Sequence, residues 1–190
     1  MRKGAFERET EETTVRVRLN LDGNGDSEVE TGIEFFDHLL ESFSKHGRID
    51  LTVESGGDFE HHIAEDTMIA LGKALLDSLG EREGIRRMGS SVVPMDDALA
   101  LVAIDLGGRV YSDVEVDFNK KRLEDLNTDL FRHLLITFSD NSNSNLHVKV
   151  LRGENDHHKA EAVFKALGVA ISEAVAEMGG GVPSTKGVVD

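Results

Sequence analysis

Polar and apolar residues alternate from Thr14 to Leu21, in the run Thr-Val-Arg-Val-Arg-Leu-Asn-Leu, which predicts a strand with one buried face. Asp22-Gly23-Asn24-Gly25 is turn chemistry leading into a second strand. From Phe35 to His46 the period changes. Phe36, Leu39, Leu40 and Phe43 fall at helical spacing, and Gly47 follows as the expected cap. Ile49 to Val53 predicts a further strand. Glu60 to Leu79 predicts a long helix with Ile63, Met68, Leu71 and Leu75 on its apolar side, closed by Gly80.

The pattern then recurs. Phe36 to Ser44 aligns with Phe131 to Ser139 at an offset of 95, which persists from Leu51-Thr52-Val53 to Leu146-His147-Val148. The offset is 96 from His61-His62-Ile63-Ala64-Glu65 to His157-His158-Lys159-Ala160-Glu161, and again from Leu71-Gly72 to Leu167-Gly168. A weaker match at offset 85 pairs Glu12 with Asp97 and Val15–Leu21 with Ala100–Leu106. Residues 1–88 thus form a first repeat and 89–178 a second, with 179–190 as a tail. Each repeat reads as strands, helix, strand, helix. Two α+β halves related by duplication are expected to pack helices against two sheets. The boundary around Gly84–Gly89 is short, so one compact unit is expected.

Composition narrows the function. At 190 residues the chain is long enough to bury a core, and it has no cysteine, which excludes disulfides and thiolate metal sites. Met1 to Arg8 has no apolar segment of the secretory kind, and the longest apolar run, near Ala98–Ile104, is too short to span a bilayer. A cytoplasmic protein with no membrane partner is therefore expected. A net charge of −15 argues against nucleic acid, which needs a basic surface. An anionic substrate still fits if the few Arg and Lys converge.

The two His-His-x-x-Glu runs hold four of the eight histidines. Imidazole plus carboxylate is a transition-metal ligand set. On a helix, residues i and i+4 share a face while i+1 lies about 100° around. His61 with Glu65, and His157 with Glu161, can therefore grip an ion, while His62 and His158 point sideways. His38 and His133 hold matched places in the shorter helices. Six histidines and two glutamates make two sites of three His and one Glu, with each sideways His serving the other half's metal. Such sites keep open positions, as catalytic metals do. The metalloprotease spacing His-Glu-x-x-His is absent. His147 alternates within a strand and reads as structural. In the tail, Gly179-Gly180-Gly181-Val182-Pro183-Ser184-Thr185-Lys186-Gly187 offers backbone N–H, hydroxyl and ammonium groups to an anion.

Taken together, Asp37-His38-Leu39-Leu40, Lys45-His46-Gly47, His61-His62-x-x-Glu65-Asp66, Asn155-x-His157-His158-x-x-Glu161-Ala162-x-Phe164-Lys165-Ala166 and Pro183-Ser184-Thr185-Lys186-Gly187 resemble the imidazoleglycerol-phosphate dehydratases. The resemblance runs from Glu12 to Gly187. It implies a duplicated α+β fold with two four-stranded sheets and the helices between them, a 24-subunit homo-oligomeric shell, and active sites shared between subunits. It implies two Mn(II) ions per subunit, one on His38, His61, Glu65 and His158, the other on His62, His133, His157 and Glu161. It places the small-molecule phosphate substrate on Arg87, Arg109, Ser184, Thr185 and Lys186, with Lys165, Glu12, His46 and the ligand residues around it. Catalysis is expected from Glu12 as candidate base, His46 or a metal-bound water as acid, and Glu65 and Glu161, with Asp96 or Asp97 as candidates to share the proton work. A non-catalytic metal-binding shell and a two-metal hydrolase are the competing readings. Arg87, Arg109 and the Ser-Thr-Lys tail argue against the first, and the His-rich ligand set against the second. Two departures stand out: the loop between Val53 and His61 is short, and Phe59-Glu60 replaces the usual Asp-Asp.

Overall fold

The computed structural model describes residues 1–187, so residues 188–190 of the expected tail lie outside the described residues. The first repeat runs β1 (Lys3–Glu9), β2 (Thr13–Asn20), β3 (Ser27–Glu30), α1 (Glu34–Gly47), β4 (Asp50–Gly57) and α2 (Glu60–Leu79). The second runs β5 (Met88–Met95), β6 (Ala98–Asp105), β7 (Tyr111–Glu115), β8 (Arg122–Leu123), β9 (Leu126–Asn127), α3 (Thr128–Asn141), β10 (Asn145–Arg152) and α4 (Asp156–Ala174). The fold is α+β, and the two four-stranded sheets have the same topology, β1-β2-β4-β3 and β5-β6-β10-β7. In each, the last pair is parallel and the others antiparallel.

Alternation decides which face of each sheet is buried. On β2, Val15, Val17 and Leu19 turn inward, and on β6, Ala98, Ala100, Val102 and Ile104 do the same. The helices lie between the sheets, α2 on β1 and β2, and α4 on β5 and β6. The shorter helices cross over: α1 packs on α4, and α3 packs on α2. Phe36, Phe43, Phe131, Phe138 and Phe164 fill the seam, each less than 2% exposed except Phe43 at 2%. Burial of each such ring is worth about 1.5–3 kcal/mol.

Glycines at matched repeat positions allow the close layers. A Cβ on Gly4 or Gly89 would overlap the Ala74 or Ala170 carbonyl, so each strand lies directly on its long helix. Gly72 also lies close to α3, where a Cβ would meet the Phe138 carbonyl oxygen at 2.8 Å.

The structure departs from the sequence reading at three points. Gly47 is the last residue of α1 rather than its left-handed cap. Arg48 takes that conformation, at φ 54° and ψ 34°, because Gly47 is needed where α1 touches Gly168. β1 escaped the periodicity because its sequence, Lys-Gly-Ala-Phe-Glu-Arg-Glu, has little apolar alternation, and pairing with β2 makes it a strand. The β8–β9 hairpin has no counterpart in the first repeat. Among the described residues no helix is long and apolar enough to cross a membrane.

Candidate active site

The crossing of α1 over α4 brings three ligand candidates together. Asn155 caps α4 by accepting from the N–H groups of His157 and His158, which fixes the first turn. One turn on, Glu161 Oε2 lies 3.5 Å from His157 Nε2, and His38 Nε2 reaches the same oxygen at 3.5 Å. The three donor atoms all lie within 4.8 Å of one another. Glu161 is only 6% exposed, and Lys165 Nζ sits 2.7 Å from its other oxygen. Burial pushes this carboxyl up, but the hydrogen bond and charge of Lys165, with His38 behind them, outweigh it and hold the group below its ordinary value. Glu161 is thus an anionic donor at neutral pH. His46, near Lys165 and Glu161, is pushed below its usual value by burial and then by the Lys165 charge.

The second crossing, α3 on α2, is less complete. His133 Nε2 lies 3.1 Å from Glu65 Oε1. His61 is one turn before Glu65, yet its ring stacks on Phe59 at 6.0 Å and lies 3.9 Å from that of His62. Within one chain the grouping therefore differs from the one the resemblance implied. His38 meets His157 and Glu161 of the other repeat, and His133 meets Glu65. The cause is packing: the short helices exchange partners across the molecule, carrying their histidines with them.

The sideways histidines are held in place rather than gathered in. His62 Nδ1 lies 2.8 Å from Asp58 Oδ1 and 3.6 Å from Glu12 Oε2. The Asp58 hydrogen bond raises the His62 pKa above its ordinary value. His158 Nδ1 lies 2.6 Å from Asp97 Oδ1, with Asp96 3.5 Å from its Nε2. Such carboxylates fix ring orientation and leave the far nitrogen to bind. Asp97 also accepts from the N–H groups of Asn155 and Glu154, and it is held far below the usual carboxylate range, first by Asn155 and then by His158. These contacts suit it to orient His158 and the start of α4. Asp58 carries no helical or alternating signal, and the sequence reading did not single it out. Its spacing of four residues before His62 was the available clue. His147, expected as structural, is exposed beside Tyr111 and Asp113.

The cationic residues also converge. Arg87, Arg109, Ser184, Thr185 and Lys186 line one cleft of about 300 Å³, closed by Gly107 and Pro183. Asp105 grips the Arg87 guanidinium at 2.6 and 2.9 Å, while Arg87 NH1 donates to the Pro183 carbonyl at 3.1 Å and so ties the tail to the cleft. Arg87 holds a left-handed backbone, φ 75°, the kind of strain found at functional positions. Arg82, which carries no sequence signal, is 7% exposed, and burial, then the charge of Arg87, lowers its pKa.

This cleft is at the far end of α4 from the first histidine group. The Arg87 N–H bonds the Ala174 carbonyl at 2.7 Å, and Ala174 ends the helix that Asp156 starts. At 1.5 Å per residue, Glu161 and Ala174 are about 20 Å apart.

The family model of imidazoleglycerol-phosphate dehydratase matches residues 31–171, which span the whole first group, the Glu65–His133 pair and Arg87. The chain belongs to the imidazoleglycerol-phosphate dehydratase family. An imidazoleglycerol-phosphate dehydratase from Methanococcoides burtonii is 50% identical over 192 residues, covering 100% of both chains. One from Chloroflexus aurantiacus is 50% identical over 195 residues, covering 100% of this chain and 95% of its own. The crystal structure of the Pyrococcus furiosus dehydratase superposes with a TM-score of 0.85 at 35% identity, covering 96% of this chain and 99% of that one. The Staphylococcus aureus dehydratase gives 0.84 at 29% identity, over 92% and 99%. Dehydratase relatives of full length lend no support to a non-catalytic shell.

Proposed function

We propose that this chain removes water from imidazole glycerol phosphate to give imidazole acetol phosphate, a step of histidine biosynthesis, as a cytoplasmic hydro-lyase with two Mn(II) ions per subunit. The observation that carries this reading is the meeting of His38 with His157 and Glu161 across the repeats. The donor set fits a divalent ion. Donors sharing an ion at about 2.0–2.2 Å stand about 3 Å apart in cis positions, close to the 3.5 Å separations of this group. His38, His157 and Glu161 would hold one ion, and His133 and Glu65 with His61 the other. When bound, the ions supply Lewis acidity toward the nitrogens of an imidazole ring.

The chain's own residues account for the rest. Arg87, Arg109, Ser184, Thr185 and Lys186 bind the phosphate and fix one end of the substrate. Ring electrons expel the hydroxyl on the carbon beside the imidazole, and Glu12 takes the proton from the next carbon. His46 hands a proton to the departing hydroxyl, which leaves as water. Its lowered pKa makes the imidazolium a stronger acid when formed. The enol left behind relaxes to the ketone.

A 24-subunit shell with shared sites suits this chain. A separation of about 20 Å along α4 exceeds the reach of a three-carbon chain between imidazole and phosphate. This favours a substrate held between the cleft of one copy and the His38, His157 and Glu161 group of another. The ring nitrogen of His62 that faces away from Asp58 is suited to complete a neighbour's ligand set, as is Nε2 of His158 once Asp96 gives way. The test is ketone formation, followed by absorbance, from imidazole glycerol phosphate. Turnover should be absent in chelator-treated protein and return with Mn(II). Fully loaded protein that forms no ketone would overturn the reading.

A further inference from the structure

The first repeat passes from β3 to α1 through residues 31–33, whereas the second takes residues 116–127 to pass from β7 to α3. This longer connection, which carries the β8–β9 hairpin, contacts the first turn of every helix. At its turn, Asp125 accepts from the N–H groups of Glu34 at 2.5 Å and Phe35 at 2.9 Å. These N–H groups start α1, whose own N-cap residue, Ile33, provides no capping side chain. Phe59, the N-cap residue of α2, provides none either. There Glu60 accepts from the Asn127 N–H at 2.7 Å and pairs with Arg122 at 2.9 Å. Asn127 in turn caps α3. At α4, buried Asp156 accepts from the N–H groups of Asn119 and Lys120, both at 2.8 Å, and Lys159 joins Asp156 to the Asp117 carbonyl.

Those four first turns lead directly into His38, His61, His62, Glu65, His133, His157, His158 and Glu161. The contact at Asp125 is the most direct, because the residue it holds touches the histidines: the Phe35 ring lies 4.8 Å from His157 and 6.4 Å from His38. The neighbouring Glu124 has a left-handed backbone, φ 51°, and brings a carboxylate oxygen to 4.0 Å from His157 Nδ1, the ring nitrogen opposite the one facing Glu161. Residues outside the ligand set that orient ligating histidines commonly change metal affinity by 10–100-fold.

We propose that residues 117–127 act as a positioning clamp for the metal-ligand helices, with Asp125 as its central residue. The inference rests on the metal reading above. It predicts that Asp125→Ala loosens α1 at Phe35 and withdraws His38 from Glu161, while the cationic cleft at the other end of α4 is untouched.

The experiment titrates metal-free wild-type and variant proteins with Mn(II), following free Mn(II) by electron paramagnetic resonance, and measures inorganic phosphate binding by calorimetry. Asp125→Ala should weaken Mn(II) binding by about 10–100-fold, with phosphate affinity changed by less than roughly twofold. Asp125→Asn keeps one acceptor oxygen and should recover most of the Mn(II) affinity. Unchanged Mn(II) binding in Asp125→Ala would overturn the proposal, as would equal losses of Mn(II) and phosphate binding. Should Asp125→Ala not fold, Arg122→Leu removes the Glu60 pair at the surface and should still weaken Mn(II) binding alone, by about threefold or more. Wild-type protein that binds no Mn(II) removes the metal reading, and this inference with it.

Discussion

Gly47 and Gly168 meet backbone to backbone where α1 crosses α4. A Cβ on Gly47 would lie 3.0 Å from the Gly168 carbonyl oxygen, and one on Gly168 would lie 2.9 Å from the Gly47 nitrogen. This approach sets the depth at which His38 faces Glu161, about two turns toward the start of each helix. Gly168→Ala should cost about 1–3 kcal/mol through overpacking against main chain that cannot yield. It should also loosen the histidine group. Melting curves and Mn(II) titration of the same variant test both effects, and full stability with weakened metal binding is not expected.

Glu161→Gln keeps the shape of the side chain but loses the charge that Lys165 and His38 stabilise. Bound Mn(II) should fall from two per subunit toward one, and turnover should nearly vanish. Metal analysis of protein purified without chelator provides the check. Unchanged metal content with full activity would remove Glu161 from the ligand set.

Lys186→Ala should act on binding rather than chemistry, because Lys186 lines the cleft with Arg87 and Arg109. Loss of one charged hydrogen bond to a phosphate is worth about 1.5–3 kcal/mol, so KM should rise by roughly 10–100-fold with a smaller change in kcat. A fall in kcat with KM unchanged contradicts the assignment.

Acid stability can be traced to Asp50. Its carboxyl accepts from the Asn24 N–H at 2.8 Å, and also from Asn20 and from the Asp26 N–H, which closes the turn after β2. The Asn24 bond leads in holding it below its usual value, against a smaller opposing effect of burial. A depressed folded pKa means that the stabilisation is complete above the usual carboxylate value, about pH 4, and is lost as pH falls through the lower folded value. Asp50→Asn should therefore be less stable than wild type at neutral pH, and the gap should close in acid. Denaturant midpoints at several pH values measure it.

Much of the architecture could be read from local pattern. The helix from Glu60 to Leu79 has its ends where spacing and Gly80 put them, and the strand alternation of Val15, Val17 and Leu19 is the buried face of β2. The residues proposed to carry the chemistry were also visible, since two His-His-x-x-Glu runs and a Ser-Thr-Lys tail are types and spacings. What escaped was set by distant contacts. The partner of α1 depends on Gly47 and Gly168, which are separated by most of the chain and give no local signal of touching. Asp125 reads as an ordinary turn residue until Phe35 is found against it. Asp97 reaches His158 only in the folded chain, whereas the Asp58–His62 spacing was local and open to reading.

The insert at 116–127 also makes the two halves unequal. A protein assembled from two first repeats would leave the Glu34 and Phe35 N–H groups at the start of α1 without their Asp125 acceptor, and Glu60 at the start of α2 without Asn127 and Arg122. Each half has become a specialist. The first starts α1 with no cap of its own, and the second supplies one through Asp125, so a copy of the first half alone would lack it.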